Sequence, residues 1–265
     1  MINKQTKQDL IANIKDKDEK MKIANIIDKC NKAQAMDKVT ATSFLDLSQK
    51  DKVISLLNRE KVKYELYYPN EYCEKGIIFF LPDYAEKVEY DNYISCIKIV
   101  AKDMNKLKHK DFMGSIYAMG IKNDFIGDIF VTVNAAYVYI LKEVESFLLD
   151  NLFKVGNQEV ELSIIDLNSL ESKELKVDYI EKTYIIPSRR IDALLSEVYN
   201  LSRKETKEKI VAGDLYVNAA ECINPSIEFY EGDIVSFRRC GKLKVGQEIR
   251  TTKSGNICIN IYRYK

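Results

Sequence analysis

The chain has 265 residues, 46% of them apolar and 31% charged, with ten glycines and four prolines. That composition supplies the volume for packed cores and excludes a mainly disordered or collagen-like chain; the length predicts two domains, or three small ones, and excludes a lone small binding module. The 41 basic and 40 acidic residues leave a net charge of +1, which alone argues neither for nor against a polyanionic partner, but residues 187–265 hold fourteen basic and ten acidic side chains, so a nucleic-acid surface is expected in the last third.

Six cysteines (Cys30, Cys73, Cys96, Cys222, Cys240 and Cys258) include no Cys-x2-Cys pair, and His109 is the only histidine. This is poor material for a tetrahedral zinc site, so no metal is expected. The opening MINKQTKQDLIANIKDKDEK has no apolar signal-peptide core, which predicts a cytoplasmic protein with reduced thiols. No stretch approaches the ~20 apolar residues of a membrane-spanning helix, and no membrane partner is expected.

Residues 1–62 read as a helical amino-terminal region. Ile23, Ile26, Ile27, Cys30 and Ala33 recur at helical spacing, and a second helix near SQKDKVISLLNREK would be capped by Ser48 and bury Val53, Ile54 and Leu57. Phe44 and Leu45, between the two, are expected to act as apolar plugs. The alternating lysines and carboxylates around these helices read as a solvated face.

Residues 63–183 change period and predict a central α+β domain. VKYELYY, GIIFFLP and NYISCIKIVA are rich in aromatic and β-branched residues and read as strands, as do GDIFVTV, AYVYILK, EVELSIIDL and LKVDYIEKTYII. Helices are expected at KHKDFMGSIYAMGI and EVESFLLDNLF, giving an antiparallel or mixed sheet with helices on one face. Gly127 and Asp128 read as a turn entering a buried strand, and His109 with Asp111 as a helix start. The strand tyrosines Tyr64, Tyr68, Tyr93, Tyr137 and Tyr139 read as packing residues.

From Pro187 the pattern is two short helices and a small sheet. Ile191, Leu194, Leu195 and Val198 make an inward stripe, leaving Arg189 and Arg190 at an exposed start; Ser202 can cap the second helix, Glu205 occupies the reciprocal capping position, and Gly213 permits the stop. Ile210 and Val211 are expected to be buried. Arg203 and Lys207 stand i,i+4 with Lys204 beside them, so these cations can follow one phosphate backbone, a contact that positions RNA without reading its bases.

This segment resembles the alpha-L RNA-binding domain, typified by ribosomal small-subunit protein four, through RRIDALLSEV, SRKETKEKIVAGDLYVN and GDIVSF. The resemblance implies RNA binding by Arg189, Arg190, Arg203, Lys204 and Lys207, joined by Arg238, Arg239 and Lys242, within an alpha-L domain at 187–245 followed by a β extension at 246–265. The whole chain is similar to the bacterial YlmH family, whose central signature matches His109, Asp111, Gly114, Gly120, Ile121, Gly127, Asp128 and Ile129. Of these, His109, Asp111, Gly114, Gly127 and Asp128 are candidates for a central contact or a structural signature. Departures include Thr206 where alpha-L domains commonly have Ala, VNAAE in place of a Val-Asn-Gly turn, and Arg239, Lys242 and Leu243 where the family tends toward Gly, Arg and Phe.

The family resemblance implies a cytoplasmic RNA-binding factor associated with the ribosome, contacting ribosomal RNA of the large subunit and a peptidyl transfer RNA after translation has stalled, in quality control or rescue. The competing readings are an RNA-modifying enzyme with an appended RNA-binding domain and a structural adaptor in cell division. The sequence has no Gly-x-Gly-x-x-Gly loop, and neither a catalytic residue nor a cofactor is expected.

Overall fold

The computed structural model describes residues 2, 4–12, 17–82, 85, 87–173 and 175–264; residues 1, 3 and 13–16 of the expected helical region lie outside them. It consists of two compact units, residues 1–176 and 177–265. Both are mixed α+β.

The first unit opens with α1 (Lys4–Ala12), α2 (Lys17–Ala35), β1 (Thr40–Ala41) and α3 (Leu47–Arg59), followed by β2 (Tyr64–Tyr67) and β3 (Ile77–Phe80). The apolar stripes of α2 and α3 meet the sheet β1-β3-β2, burying Ile27, Cys30, Leu45, Val53, Leu57, Ile78 and Phe80 together. The expected boundary at residues 62/63 therefore cuts through one core: helices this short need the 64–80 hairpin as a surface on which to bury their stripes. Helix α3 starts two residues earlier than Ser48 would set it. Asp46 is the cap, accepting the Gln49 backbone N–H at 2.8 Å while the Gln49 side chain answers the Asp46 N–H.

The rest of the unit is a five-stranded antiparallel sheet, order β5-β6-β4-β8-β7, built from β4 (Ile94–Ala101), α4 (His109–Ala118), β5 (Ile126–Val131), β6 (Ala136–Leu141), α5 (Glu145–Asn151), β7 (Lys154–Val155), β8 (Gln158–Ile165) and α6 (Leu170–Lys173). Phe112 and Ile116 of α4 and Leu148 of α5 pack on Ile97, Ile99, Val138 and Ile140. Against expectation, Gly127 and Asp128 lie inside β5, at a register shift between Ile126 and Ile129, and do not form a turn before it. Phe44 and Leu45 are fully buried plugs, as expected.

The second unit contains β9 (Tyr179–Ile186), α7 (Ile191–Tyr199), α8 (Arg203–Val211), β10 (Leu215–Val217), β11 (Ala220–Glu221), β12 (Ile234–Phe237), β13 (Gly241–Thr251) and β14 (Ile257–Tyr264). Its antiparallel sheet runs β11-β10-β12-β13-β14-β9. Strand β9, expected to belong with the central region, instead pairs with β14 from Ile186↔Ile257 to Tyr179↔Tyr264. Likewise the expected 245/246 boundary falls within β13, whose pairing with β14 continues on both sides of it. Leu194, Leu195, Val198 and Ile210 of the helices pack on Val235, Phe237, Leu243, Val245, Ile259 and Ile261. Val211, expected in that core, is 63% exposed, because its position on the last turn of α8 points off the stripe that carries Ile210.

Among the described residues no helix is long and apolar enough to cross a membrane.

Candidate nucleic-acid interface

Helices α7 and α8 are joined by three residues. Asn200 ends α7 in the left-handed conformation (φ 53°), a position Asn tolerates better than most residues, and Ser202 caps α8 by accepting the Glu205 backbone N–H at 3.1 Å. The Glu205 carboxylate does not complete a capping box; it lies 3.7 Å from Lys209 one turn on. The two helices are also pinned side to side. Ser196 Oγ donates to Thr206 Oγ1 at 3.0 Å, and Thr206 Oγ1 donates to the Ser202 carbonyl at 3.0 Å, both side chains being buried. The departure at Thr206 thus adds a polar group that finds its partners inside the interface, as buried hydroxyls require.

The organising group of this surface is Asp192, which the sequence presents as an ordinary acidic residue of a first helical turn. Its side chain has no exposure to solvent. Arg190 donates to it twice, from Nε at 3.1 Å and Nη2 at 2.9 Å, while Arg203 Nη1 stands 3.9 Å and Lys207 Nζ 3.8 Å away. Burial by itself would push the Asp192 pKa up, but the Arg190 hydrogen bonds and the charges of Arg190, Arg203 and Lys207 outweigh it and hold the carboxyl below its ordinary value. Three cations from two helices therefore converge on one carboxylate. They leave an excess of two positive charges on a patch whose side chains are already oriented.

The other expected RNA-contacting cations divide. Lys204 is 88% exposed, 4.0 Å from Glu208 along α8. Arg189 is ion-paired with Glu248 of β13. Arg238 and Lys242 do not join the helical patch: strand alternation places Lys242 on the sheet face opposite to the buried Leu243, and Arg238 is exposed in the turn that follows β12. Arg238 Nη2 donates to the Tyr216 hydroxyl at 2.6 Å, and Lys242 Nζ lies 4.8 Å from the Tyr264 ring centroid. Arg239 occupies the turn between β12 and β13 with φ 64° and is exposed.

In the central signature, three residues serve the fold. Asp111 accepts the Lys108 backbone N–H at 2.8 Å and so caps the start of α4. Asp128 accepts the backbone N–H groups of Glu74 (3.0 Å) and Lys75 (2.9 Å), and Lys75 Nζ reaches back to the Ile126 carbonyl at 2.8 Å. Burial pushes the Lys75 pKa down, with Asp128 opposing. Gly127 lies under Phe44: a Cβ there would stand 2.7 Å from the ring. The signature thus fastens the amino-terminal layer to β5. His109 and Gly114 are exposed on α4, and a Cβ added at Gly114 would meet nothing.

Among the described residues no group of three or more His, Cys, Asp or Glu side chains could hold a metal ion. Sequence reasoning missed Asp192 as a hub. The visible signal was its place between Arg190 and the α7 stripe, on the side that faces α8.

Residues 86–169 match the family model described as "Putative RNA-binding domain in YlmH". The chain is 22% identical over 250 residues to the Ribosome-associated protein quality control protein P2 of Bacillus subtilis (strain 168), a match covering 94% of this chain and 96% of that protein. Among solved structures it is similar to Cell division protein ylmH from Streptococcus pneumoniae, with 20% identity and a TM-score of 0.48, over 57% of this chain and 93% of that one. The family model spans β4 to β8, and the relative aligns through both units.

Proposed function

We propose that this protein is a non-catalytic RNA-binding factor that associates with the ribosome and acts in quality control or rescue of stalled translation, its second unit being an alpha-L RNA-binding domain. The observation that carries the reading is the convergence of Arg190, Arg203 and Lys207 on buried Asp192, with exposed Lys204 alongside. Such a surface attracts phosphate without having to order its side chains first, which reduces the entropic cost of binding. The near full-length similarity to a protein named for ribosome-associated quality control supports it.

In this reading the helical patch docks on ribosomal RNA of the large subunit, and a peptidyl transfer RNA is the second ligand, in the cytoplasm. Arg189 and Arg239 are further candidate contacts, and His109 and Gly114 are the exposed members of the central signature. An RNA-modifying reaction at Asp111 or Asp128 is disfavoured by geometry, since each carboxylate accepts backbone N–H groups that hold the fold.

Sedimentation with ribosomes tests the proposal. The protein should travel with large subunits bearing peptidyl transfer RNA, and a folded Arg203→Gln/Lys204→Glu/Lys207→Gln variant should not. Equal cosedimentation of that variant at moderate salt would overturn the assignment.

A further inference from the structure

The six-stranded sheet has two faces, and α7 and α8 cover one of them. On the other, the antiparallel register brings Tyr216 beside Ser236, Ser236 beside Lys242, and Tyr264 beside Tyr179, with Lys244 and Tyr262 paired in the neighbouring row. We infer that this face is a second RNA surface, which takes unpaired nucleotides by stacking their bases on Tyr216 and Tyr264 while Arg238 and Lys242 meet the intervening phosphates.

The inference rests on the RNA-binding reading above and extends it to a different ligand class and a different face. Tyrosines and cations alternate here in contact with one another. The Arg238 guanidinium lies 5.1 Å from the Tyr216 ring centroid, and Lys242 Nζ lies 4.8 Å from that of Tyr264. The rings are also held in place. Tyr179 packs edge-on against both Tyr264, at 5.0 Å between centroids, and Tyr262, at 5.9 Å. Beneath Tyr262 the chain has Gly246, where a Cβ would stand 2.6 Å from the ring.

An apolar protein partner would meet charged groups in the middle of such a surface, whereas a single-stranded nucleic acid needs this alternation, a π-face for each base and a cation for each phosphate. Charge complementarity decides the occupant. Three exposed carboxylates stand at the margins of the row: Glu221, across from Tyr216 on the edge strand; Glu181, across from Tyr262 and accepting from Asn260 Nδ2 at 3.0 Å; and Glu231, near Tyr262. Arg238, Lys242 and Lys244 offset them on the same face. Tyr216 and Tyr264 are three strand spacings apart, roughly 14 Å, a gap that a few nucleotides of extended strand bridge. Duplex RNA has no unstacked bases to offer and is left to the helical patch.

The test uses the full chain and two probes, a short unstructured uridine-rich RNA carrying fluorescein and a blunt RNA hairpin. Tyr216→Ala/Tyr264→Ala should weaken binding of the single strand by about tenfold or more, from the worth of a base–aromatic stack, and leave hairpin binding unchanged. Tyr216→Phe/Tyr264→Phe, which keeps the π-faces, should bind both probes like the unmodified protein. Should the alanine variant fail to fold, Lys242→Glu supplies the same contrast by reversing the charge beside the Tyr264 ring. Undiminished single-strand affinity in the folded alanine variant, or in Lys242→Glu, would overturn this surface. So would an unmodified protein that binds the hairpin but not the single strand. A protein that binds neither probe would overturn the RNA-binding reading itself.

Discussion

The ring of Phe44 occupies the space that a side chain at Gly127 would need, its Cε1 lying 2.7 Å from the position of a Cβ built there. Glycine is the residue that lets the amino-terminal layer sit directly on β5. Gly127→Ala should destabilise the protein by about 1–3 kcal/mol through overpacking. Combining it with Phe44→Leu should cost less than the sum of the two single changes. A thermal-unfolding double-mutant cycle measures this, and strict additivity would contradict the contact.

Asp192 links stability to pH. Its pKa in the folded protein lies below the ordinary 3.8, so its stabilising contribution is fully present above that value and is lost as pH falls through the lower, folded pKa. Asp192→Asn should cost roughly 1–3 kcal/mol at neutral pH, less than breaking a fully buried pair because Arg190, Arg203 and Lys207 keep access to solvent. Urea unfolding across pH should find a constant gap between the two proteins from pH 7 to about pH 5, closing below about pH 4. A gap that widened on acidification would be inconsistent with the charge network.

The same geometry bears on charge reversal. Replacing Arg203 and Lys207 by Glu would set two new carboxylates beside a buried one, so loss of RNA binding in that variant would be confounded with loss of fold. Lys204→Glu avoids the problem: at 88% exposed, the residue can change sign with a stability effect within about 0.5 kcal/mol. RNA affinity should fall, and its dependence on salt should become shallower. An unaltered salt slope would remove Lys204 from the contact.

Much of the second unit was legible because its signals are local. Ile191, Leu194, Leu195 and Val198 fall on one helical stripe, while Ser202 and Gly213 mark a start and a stop that the backbone obeys. The partner of β9 was not legible, since nothing in YIEKTYII says which distant strand it will join. Gly127 and Asp128 misled for a different reason. Both residue types are poor strand formers, and only the Phe44 ring above one and the Glu74 and Lys75 N–H groups facing the other make their place in β5 favourable. Of the candidate site, the cations could be read from charge and spacing. The carboxylate that gathers them could not, because an aspartate in the first turn of a helix is ordinarily a solvated partner of the helix dipole.

Among the described residues, one buried side-chain polar group has no partner. The Tyr199 hydroxyl is buried without a hydrogen bond, and burial raises its pKa to about 12. Tyr199→Phe removes the unsatisfied group while keeping the ring beneath Arg263, whose guanidinium lies 5.1 Å from its centroid. The variant should be as stable as the original or more so, by up to about 1 kcal/mol. A marked drop in melting temperature would show that the hydroxyl is satisfied in solution.

The pairing of β9 with β14 also orders events in time. β9 precedes both helices, and its partner is the last strand of the unit, so the sheet cannot close until β14 has been made. Until then α7, α8 and strands β10 to β13 can pair and pack with one another, while β9 has no strand to join. A topology in which the first strand waits for the last has high contact order, and its slow step is the closing of that loop. The strand that completes the sheet, and with it Tyr262 and Tyr264 of the proposed RNA surface, is the last of the unit to be synthesised.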